Sequence, residues 1–90
     1  MDDTSIRWDK DAQMKFDQLI EKTPVFVRDM ARRKVREKAE SLAAEDNRSL
    51  ISEKDLVDAF LKITPFGFHG PLKTDMTEIG IDYVQYGYPE

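Results

Sequence analysis

Apolar residues recur at intervals of three and four along two segments of this chain, which is the spacing of one face of an α-helix. In the first segment the spaced residues are Trp8, Ala12, Phe16 and Leu19, with Ile20 beside them. In the second they are Val27, Ala31, Val35, Ala39 and Leu42, and the face is widened by Phe26, Met30 and Ala43. These patterns predict two amphipathic helices, the second of them long.

Capping residues set the limits of both helices. Asp9 is the natural N-cap of the first, because its carboxylate can accept hydrogen bonds from the unpaired first-turn N–H groups, and Trp8 can fold back onto the helix. The Thr23-Pro24 pair ends this helix and starts the next, since threonine caps well and proline suits the first helical position. We predict helix 1 at Lys10–Glu21 and helix 2 at Pro24–Ala44.

A third, shorter helix follows a polar loop at residues 45–49. Leu50–Ile51 is too short for more than a brief extended segment. Ser52 and Asp55 then have the spacing of a capping box, with Asp55 in the place of the usual Glu. The third helix is predicted to run to Ile63. Its buried face is supplied by Leu56, Val57, Phe60 and Leu61.

The composition changes at Thr64-Pro65, since all four glycines, all three tyrosines and three of the four prolines lie from Pro65 onward. We predict turns at residues 65–71, and a short strand at Ile79–Val84 only if it finds a partner edge. The predicted fold class is all-α, a three-helix bundle with an extended, partly ordered C-terminal tail. The chain then has three parts: a flexible N-terminus (1–7), the bundle (8–63) and the tail (64–90).

Size and cysteine content exclude several classes of protein. Ninety residues allow a single domain, and without cysteine there is no disulfide, no thiolate zinc site and no cysteine-ligated iron–sulfur cluster. The longest apolar runs are two or three residues, so we expect neither a membrane span nor a signal peptide. We therefore expect a cytoplasmic protein.

The sequence contains no Gly-rich phosphate loop, no nucleophile elbow and no HExxH motif. Its single histidine, His69, lies in a predicted turn and is more typical of an exposed side chain than of a ligand or proton donor. No neighbour supplies the further His or Cys that a transition metal needs. We predict no metal, no cofactor and no activity of the chain alone, and an enzyme that combines His69 with carboxylates is the least favoured interpretation.

The basic charge is concentrated in helix 2. Residue charges sum to +4 over residues 23–39 and are negative in the other parts of the chain, for a formal net charge of −4. Arg28, Arg32 and Arg36 repeat every four residues, so three guanidinium groups can face one carboxylate- or phosphate-bearing partner. The alternative is a solvated helix face with i,i+4 ion pairs, such as Arg36 with Glu40.

The tail carries aromatic side chains without an obvious core of their own, namely Phe66, Phe68, Tyr83, Tyr86 and Tyr88. Such rings dock onto another surface, which is either a partner or the three-helix body itself. The sequence leaves both possibilities open. The candidate partner- or anion-binding residues are therefore Arg28, Arg32, Arg36, Phe66, Phe68, His69, Tyr83 and Tyr86.

An ordered set of residues resembles a known family. The set comprises Trp8, Ala12, Leu19, the Thr-Pro-x-Phe-Val-Arg run at Thr23–Arg28, Arg32, Glu37, Ala39, the Ile-Ser-x-x-Asp run at Ile51–Asp55, and Ala59. Over residues 8–62 it resembles the small C-terminal domain of the B subunit of light-independent protochlorophyllide reductase. Two positions depart from that pattern, because Thr23 replaces the usual apolar residue before the proline and the loop at 45–49 lacks an expected glycine.

The resemblance implies a helical module that packs against the large subunits of a nitrogenase-like, ATP-driven reductase of (bacterio)chlorophyll synthesis, near the tetrapyrrole pocket. The cluster-binding and substrate-reducing parts of that enzyme lie outside this chain, so no catalytic residue is carried over. The resulting hypothesis is a non-catalytic accessory module of a larger protein complex, which binds through the basic face of helix 2 and the aromatic tail.

A histone-like protein is the alternative hypothesis. A long central helix, a short Leu-Ile segment and a capped third helix also match the latter half of a histone fold, whose members pair and bind DNA. The acidic net charge and the single basic helix disfavour nucleic acid, because duplex binding usually needs a wider positive surface. The sequence does not define an oligomeric state.

Overall fold

The computed structural model describes residues 6–90 and is predominantly helical, which confirms the predicted all-α class. Within these residues, four α-helices are joined by short 3₁₀ turns and loops, and two very short strands pair. In chain order the elements are β1 (Arg7–Trp8), α1 (Lys10–Glu21), a 3₁₀ turn (Val25–Val27), α2 (Arg28–Glu45), β2 (Leu50–Ile51), α3 (Glu53–Ile63), a 3₁₀ turn (Phe66–Phe68), α4 (His69–Glu78) and a 3₁₀ turn (Tyr83–Tyr86).

α1 begins and ends where the sequence predicts. Asp9 accepts hydrogen bonds from the backbone N–H groups of Asp11 and Ala12, both at 3.1 Å. Trp8 folds back and stacks on Phe16, with ring centroids 4.8 Å apart. The predicted N-cap and the folded-back indole are both confirmed. Each depends on contacts between residues that are close in sequence.

β1 and β2 form a parallel ladder that joins the start of the chain to the loop before α3. Arg7 pairs with Leu50, and its N–H donates to the carbonyl of Ser49 at 2.9 Å. The predicted extended segment Leu50–Ile51 is therefore confirmed. Of the N-terminal segment predicted to be flexible, residues 1–5 lie outside the described residues, and Arg7 belongs to β1.

α2 begins at Arg28, four residues later than predicted. Pro24 has a ψ of 139°, which is an extended conformation, so the chain first makes the 3₁₀ turn Val25–Val27. The hydroxyl of Thr23 does not cap this turn, because it donates to the carbonyl of Leu19 at 3.2 Å. The Thr-Pro pair thus separates the two helices as predicted, but a 3₁₀ turn lies between it and α2.

α2 ends in a Schellman motif centred on Asn47. Asn47 has a left-handed φ of 57°, and the N–H groups of Asn47 and Arg48 donate to the carbonyls of Ala44 and Ala43 at 3.0 and 2.9 Å. Asparagine adopts this conformation more readily than most residues that have a side chain. It therefore occupies the kind of position where the family resemblance led us to expect a glycine.

α3 occupies Glu53–Ile63 as predicted, and its capping box is complete. The backbone N–H of Asp55 donates to Ser52 Oγ at 3.4 Å, and the backbone N–H of Ser52 donates to Asp55 Oδ2 at 2.9 Å. Two first-turn donors are thereby paired, which fixes the start of the helix.

The tail is helical where the sequence predicts turns and an extended segment. His69–Glu78 form α4, with Gly70 and Pro71 in its first turn. Proline is compatible with this position because the first N–H groups of a helix have no acceptor within it. The prediction of an extended tail is therefore wrong over α4, since this Gly-Pro pair lies at a helix start, where it does not break the helix.

Gly80 ends α4 and turns the chain back onto the core. Its φ of 89° is left-handed, and the N–H of Ile81 donates to the carbonyl of Met76 at 2.9 Å. The side chains of Met76 and Ile81 are both buried. The conditional strand at Ile79–Val84 does not form, and the chain makes the 3₁₀ turn Tyr83–Tyr86 in its place.

One hydrophobic core joins the four helices. α2 runs antiparallel to α1, because Arg28 bonds Glu21 and Arg32 bonds Asp17. It also runs antiparallel to α3, because Arg48 just after α2 bonds Asp55 at the start of α3, whereas Ile63 at the end of α3 lies near residues 34–41 of α2. The two connections that begin with Thr-Pro consequently lie toward the same end of the bundle. The core residues are Phe16, Leu19, Ile20, Val35, Ala39, Ala43, Ile51, Leu56, Val57, Ala59, Phe60, Leu61, Met76 and Ile81.

Candidate functional site

Two connections of the same construction lie at one end of the bundle. Each begins with Thr-Pro after a helix, continues as a three-residue 3₁₀ turn and leads into the next helix. We name them the first corner (Thr23–Val27) and the second corner (Thr64–Phe68). A backbone hydrogen bond closes each turn, from the N–H of its last residue to the carbonyl of its proline, at 3.1 Å in the first corner and 2.9 Å in the second.

Arg28 ties the first corner to α1. Its Nε donates to the carbonyl of Thr23 at 2.8 Å, and its Nη2 donates to the carbonyl of Glu21 at 2.6 Å. Glu21 is the last residue of α1 and Thr23 follows its C-cap, so both acceptors lie where carbonyl groups lack intrahelical partners and a positive charge is favourable. The guanidinium group of Arg28, which is predicted to bind a partner, therefore caps a helix within the fold.

His69 occupies the equivalent place just after the second corner, again five residues after the threonine. Its Nε2 lies 2.9 Å from the carbonyl oxygens of both Leu61 and Thr64. Because both neighbours are acceptors, this nitrogen carries a proton. The imidazole thus caps the end of α3, and its ring lies 5.4 Å from that of Phe66.

The corners carry the most exposed large apolar side chains of the described residues. Phe26 is 88% and Phe66 87% exposed, and Val25 and Phe68 follow at 74% and 65%. Met30, one turn further along α2, is also exposed. We call Val25, Phe26, Met30, Phe66 and Phe68 the corner surface.

The sequence predicts two of the five residues of this surface as binding residues. Phe66 and Phe68 were among the predicted binding residues, whereas Phe26 and Met30 were assigned to the apolar face of helix 2. That assignment is wrong because α2 starts at Arg28, so Phe26 lies on a 3₁₀ turn outside the helical register. The signal that could have found it is the second Thr-Pro pair, which is also followed by an apolar turn.

The predicted arginine line of α2 is divided between the fold and the solvent. Arg32 forms an ion pair with Asp17 at 2.8 Å and lies over the ring of Phe16, with its guanidinium carbon 5.5 Å from the centroid. Arg28 contacts the end of α1, as described above. Arg36 is exposed, as are Arg33 and Lys34 on the same helix.

The tail tyrosines fold back over the bundle. Tyr86 donates its hydroxyl hydrogen to Glu53 Oε2 at 2.8 Å, and Tyr88 donates to Asp58 Oδ1. Tyr83 is half-buried under the ammonium group of Lys73, which lies 5.5 Å from its ring centroid. Of the two possibilities left open for the tail aromatics, the three tyrosines therefore follow the intramolecular one, and the two phenylalanines project into solvent.

These contacts perturb the tyrosine hydroxyls. Burial raises the pKa of Tyr86 to about 12, and the hydrogen bond to Glu53 contributes in the same direction. Burial and the hydrogen bond to Asp58 also raise the pKa of Tyr88 above its ordinary value. Both hydroxyls are thus held in the neutral, donating form, which fits a structural role better than a catalytic one.

The opposite end of the bundle is organised by an ion pair that sequence reasoning missed. Arg48 donates from Nη1 and Nη2 to the two oxygens of Asp55 at 2.7 and 2.8 Å, and from Nε to Asp46 at 2.7 Å. Asp55 is only 3% exposed. Burial acts to raise its pKa, but the hydrogen bonds from Arg48 and Ser52 outweigh burial and lower it.

Comparison with known proteins assigns this chain to a family. Residues 1–88 match a family described as protein of unknown function, DUF2621. The chain belongs to the DUF2621 family. Neither the comparison with curated proteins nor that with solved structures returns a match. The DUF2621 assignment thus covers nearly the whole chain, including both corners.

Two further findings limit the chemistry of this DUF2621 chain. Across residues 6–90 no group of three or more His, Asp and Glu side chains is placed to hold a metal ion. None of the helices in that part of the chain is both long and apolar enough to cross a membrane. The feature that stands out is therefore an exposed surface, formed by the two corners.

Proposed function

We propose that this chain is a non-catalytic interaction module that docks onto a larger assembly through the corner surface. The observation that carries the proposal is the concentration of its most exposed large apolar side chains, Phe26 and Phe66 above all, at one end of the bundle. Large apolar side chains left this exposed are candidates for an interaction site, because aromatic residues supply most of the binding energy at such sites.

The chemistry of the polar residues supports an interaction role over catalysis. The Nε2 of the single histidine is bound to two backbone carbonyls, and the buried carboxylate of Asp55 is paired with Arg48. The perturbed hydroxyls of Tyr86 and Tyr88 hold the tail against α3. Each of these groups is engaged in the fold, where a catalytic acid, base or nucleophile would need access to a substrate.

The predicted surface is refined by the contacts described above. The basic face of α2 contributes Arg33, Lys34 and Arg36, which are exposed, while Arg28 and Arg32 contact α1. The aromatic tail contributes Phe66 and Phe68. The proposed docking face is therefore the corner surface with the neighbouring cations of α2.

The resemblance to the B-subunit domain of light-independent protochlorophyllide reductase supplies a candidate assembly. Several matched positions have structural roles here, because Arg28 caps α1 and Asp55 completes the capping box of α3. The resemblance therefore supports a shared helical module and not a shared reaction. Under this proposal a nitrogenase-like reductase of (bacterio)chlorophyll synthesis is the assembly to examine first.

Site-specific photo-crosslinking in native extract tests the proposal. A photoreactive phenylalanine analogue replaces Phe26 or Phe66 in the full chain, and as a matched control it replaces Leu50, which is 47% exposed and lies at the opposite end. We expect both corner positions to capture the same partner and the Leu50 position to capture none. Equal capture from all three positions, or capture of nuclease-sensitive material alone, would show that the docking face lies elsewhere or that the histone-like alternative holds.

A further inference from the structure

We propose that the surface engaged by the corners is an anionic lipid bilayer, with Phe26, Phe66 and Phe68 inserted at the headgroup level and the cations of α2 facing the lipid phosphates. This inference rests on the proposed function, because it names the partner of the same docking face. It concerns a module that lies on a membrane, which is distinct from one that spans it.

The arrangement of the corner surface favours a bilayer over a protein with preformed pockets. Its phenylalanines project from two separate turns, and Phe26 and Phe66 expose nearly their whole side chains. A protein partner would need two preformed pockets at a fixed separation to receive them. A bilayer interface adapts to projecting rings, and aromatic side chains are enriched at that depth.

Part of the backbone of both corners is paired within the fold. Each turn is led by a proline, which has no N–H group, and closes its own N–H to carbonyl hydrogen bond. The carbonyls at the ends of the preceding helices are bonded by Arg28 in the first corner and by His69 in the second. Polar groups left without partners are costly near lipid, and these bonds pair one N–H group of each turn and two carbonyls at the end of each preceding helix.

The charge distribution orients the molecule toward anionic lipid. Residues 23–39 carry +4, and Arg33, Lys34 and Arg36 are exposed there. Residues 40–62, which include the acidic start of α3 at the opposite end, carry −3. The positive charge that faces the lipid therefore comes from α2 beside the first corner, since residues 63–90, which include the second corner, also sum to −3. The attraction falls with salt.

Vesicle flotation of the full chain tests this inference. The vesicles are phosphatidylcholine alone or phosphatidylcholine with phosphatidylglycerol, each at low and high salt. We expect binding only to the anionic vesicles and at low salt. Phe66→Ser and Phe26→Ser should each weaken binding by roughly tenfold or more, since a buried Phe side chain contributes that much. Lys34→Gln should weaken it by roughly fivefold.

Matched variants separate insertion from loss of fold. Leu50→Ser and Met14→Ser replace exposed apolar residues outside the corner surface and should leave binding unchanged. Circular dichroism of every variant should match the parent, because the replaced side chains lie outside the core. Equal losses in Leu50→Ser and Phe66→Ser would overturn the inference, as would equal binding to neutral vesicles.

The outcomes also distinguish this inference from the proposed function. If the chain ignores anionic vesicles while the analogue at Phe66 captures a protein, the lipid inference is wrong and the interaction module stands. If neither lipid nor protein is bound through the corners, both are wrong. Binding to anionic vesicles that is lost in both phenylalanine variants and retained in the Leu50 variant supports the lipid inference and the corner surface as the docking face, and the protein assembly is then supported only if the analogue at Phe66 also captures a protein.

Discussion

Asp55 combines three structural tasks at a single buried position. Its carboxylate accepts hydrogen bonds from the two terminal nitrogens of Arg48 and from the backbone N–H of Ser52, and its own N–H completes the capping box. Because it is almost fully buried, each of these bonds replaces water that the carboxylate has lost. The residue therefore fixes the start of α3 and the preceding loop together.

Replacing Asp55 with Asn should lower the free energy of unfolding at neutral pH by about 2 kcal/mol, because the side chain keeps its size but loses its charge-assisted bonds. The folded pKa of Asp55 is lowered, so its stabilising contribution is present above the unfolded value of about 3.9 and is lost as the pH falls through the folded value. The deficit of the variant should therefore shrink in acid. Urea unfolding from neutral to acidic pH measures this.

A surface partner of the same arginine serves as the control. Asp46 also contacts Arg48, but its side chain is 70% exposed. Asp46→Asn should change the free energy of unfolding by less than about 1 kcal/mol, because exposed ion pairs contribute little. A deficit as large as that of the Asp55 variant would contradict the account of the buried carboxylate.

The elements differ in how well the sequence predicts their ends. α1 and α3 could be predicted to the residue, because their caps, Asp9 and Ser52 with Asp55, act within one turn of chain. α4 could not, because Gly70 and Pro71 were interpreted as breaks although a first turn tolerates both. β1 could not be predicted either, since its pairing with β2 joins segments more than forty residues apart.

The left-handed conformation at the end of α2 can be tested by substitution. Asn47 holds a left-handed conformation that costs a residue with an ordinary side chain about 1–2 kcal/mol. We expect Asn47→Ala to lower the free energy of unfolding by about 1 kcal/mol and Asn47→Gly to leave it unchanged or raise it. Thermal unfolding of the two variants measures the difference. Equal effects would show that the turn does not depend on this conformation.

The tail segment after α4 is an element held by its tyrosines. The folded pKa of Tyr86 is raised to about 12, so its contribution to stability is present below the unfolded value of about 10 and is lost as the pH rises through the folded value. We expect the tail to detach from α3 between these values. Tyrosinate absorbance alongside circular dichroism measures this, and in Tyr86→Phe the stability loss over this range should be smaller. An unchanged alkaline loss in that variant would contradict the assignment to Tyr86.

At the scale of the whole molecule, exposed positive charge follows the first corner along α2. Arg33, Lys34 and Arg36 are exposed there, whereas the other end of α2 leads to the Arg48–Asp55 pair and the acidic start of α3. The sequence indicates the basic segment and Phe66 with Phe68. It could not indicate that the first corner joins them, because that requires the antiparallel arrangement of α2 with both α1 and α3.

The central claim is that the chain binds its partner through the corner surface, and hydroxyl-radical footprinting tests it most directly. The chain is labelled alone and again in native extract with membranes retained, and oxidation is measured residue by residue. We expect Phe26, Phe66 and Phe68 to be protected in extract, and Met14 and Leu50 to be oxidised as in the free chain. Protection of Met14 and Leu50 with the three phenylalanines unchanged would contradict it.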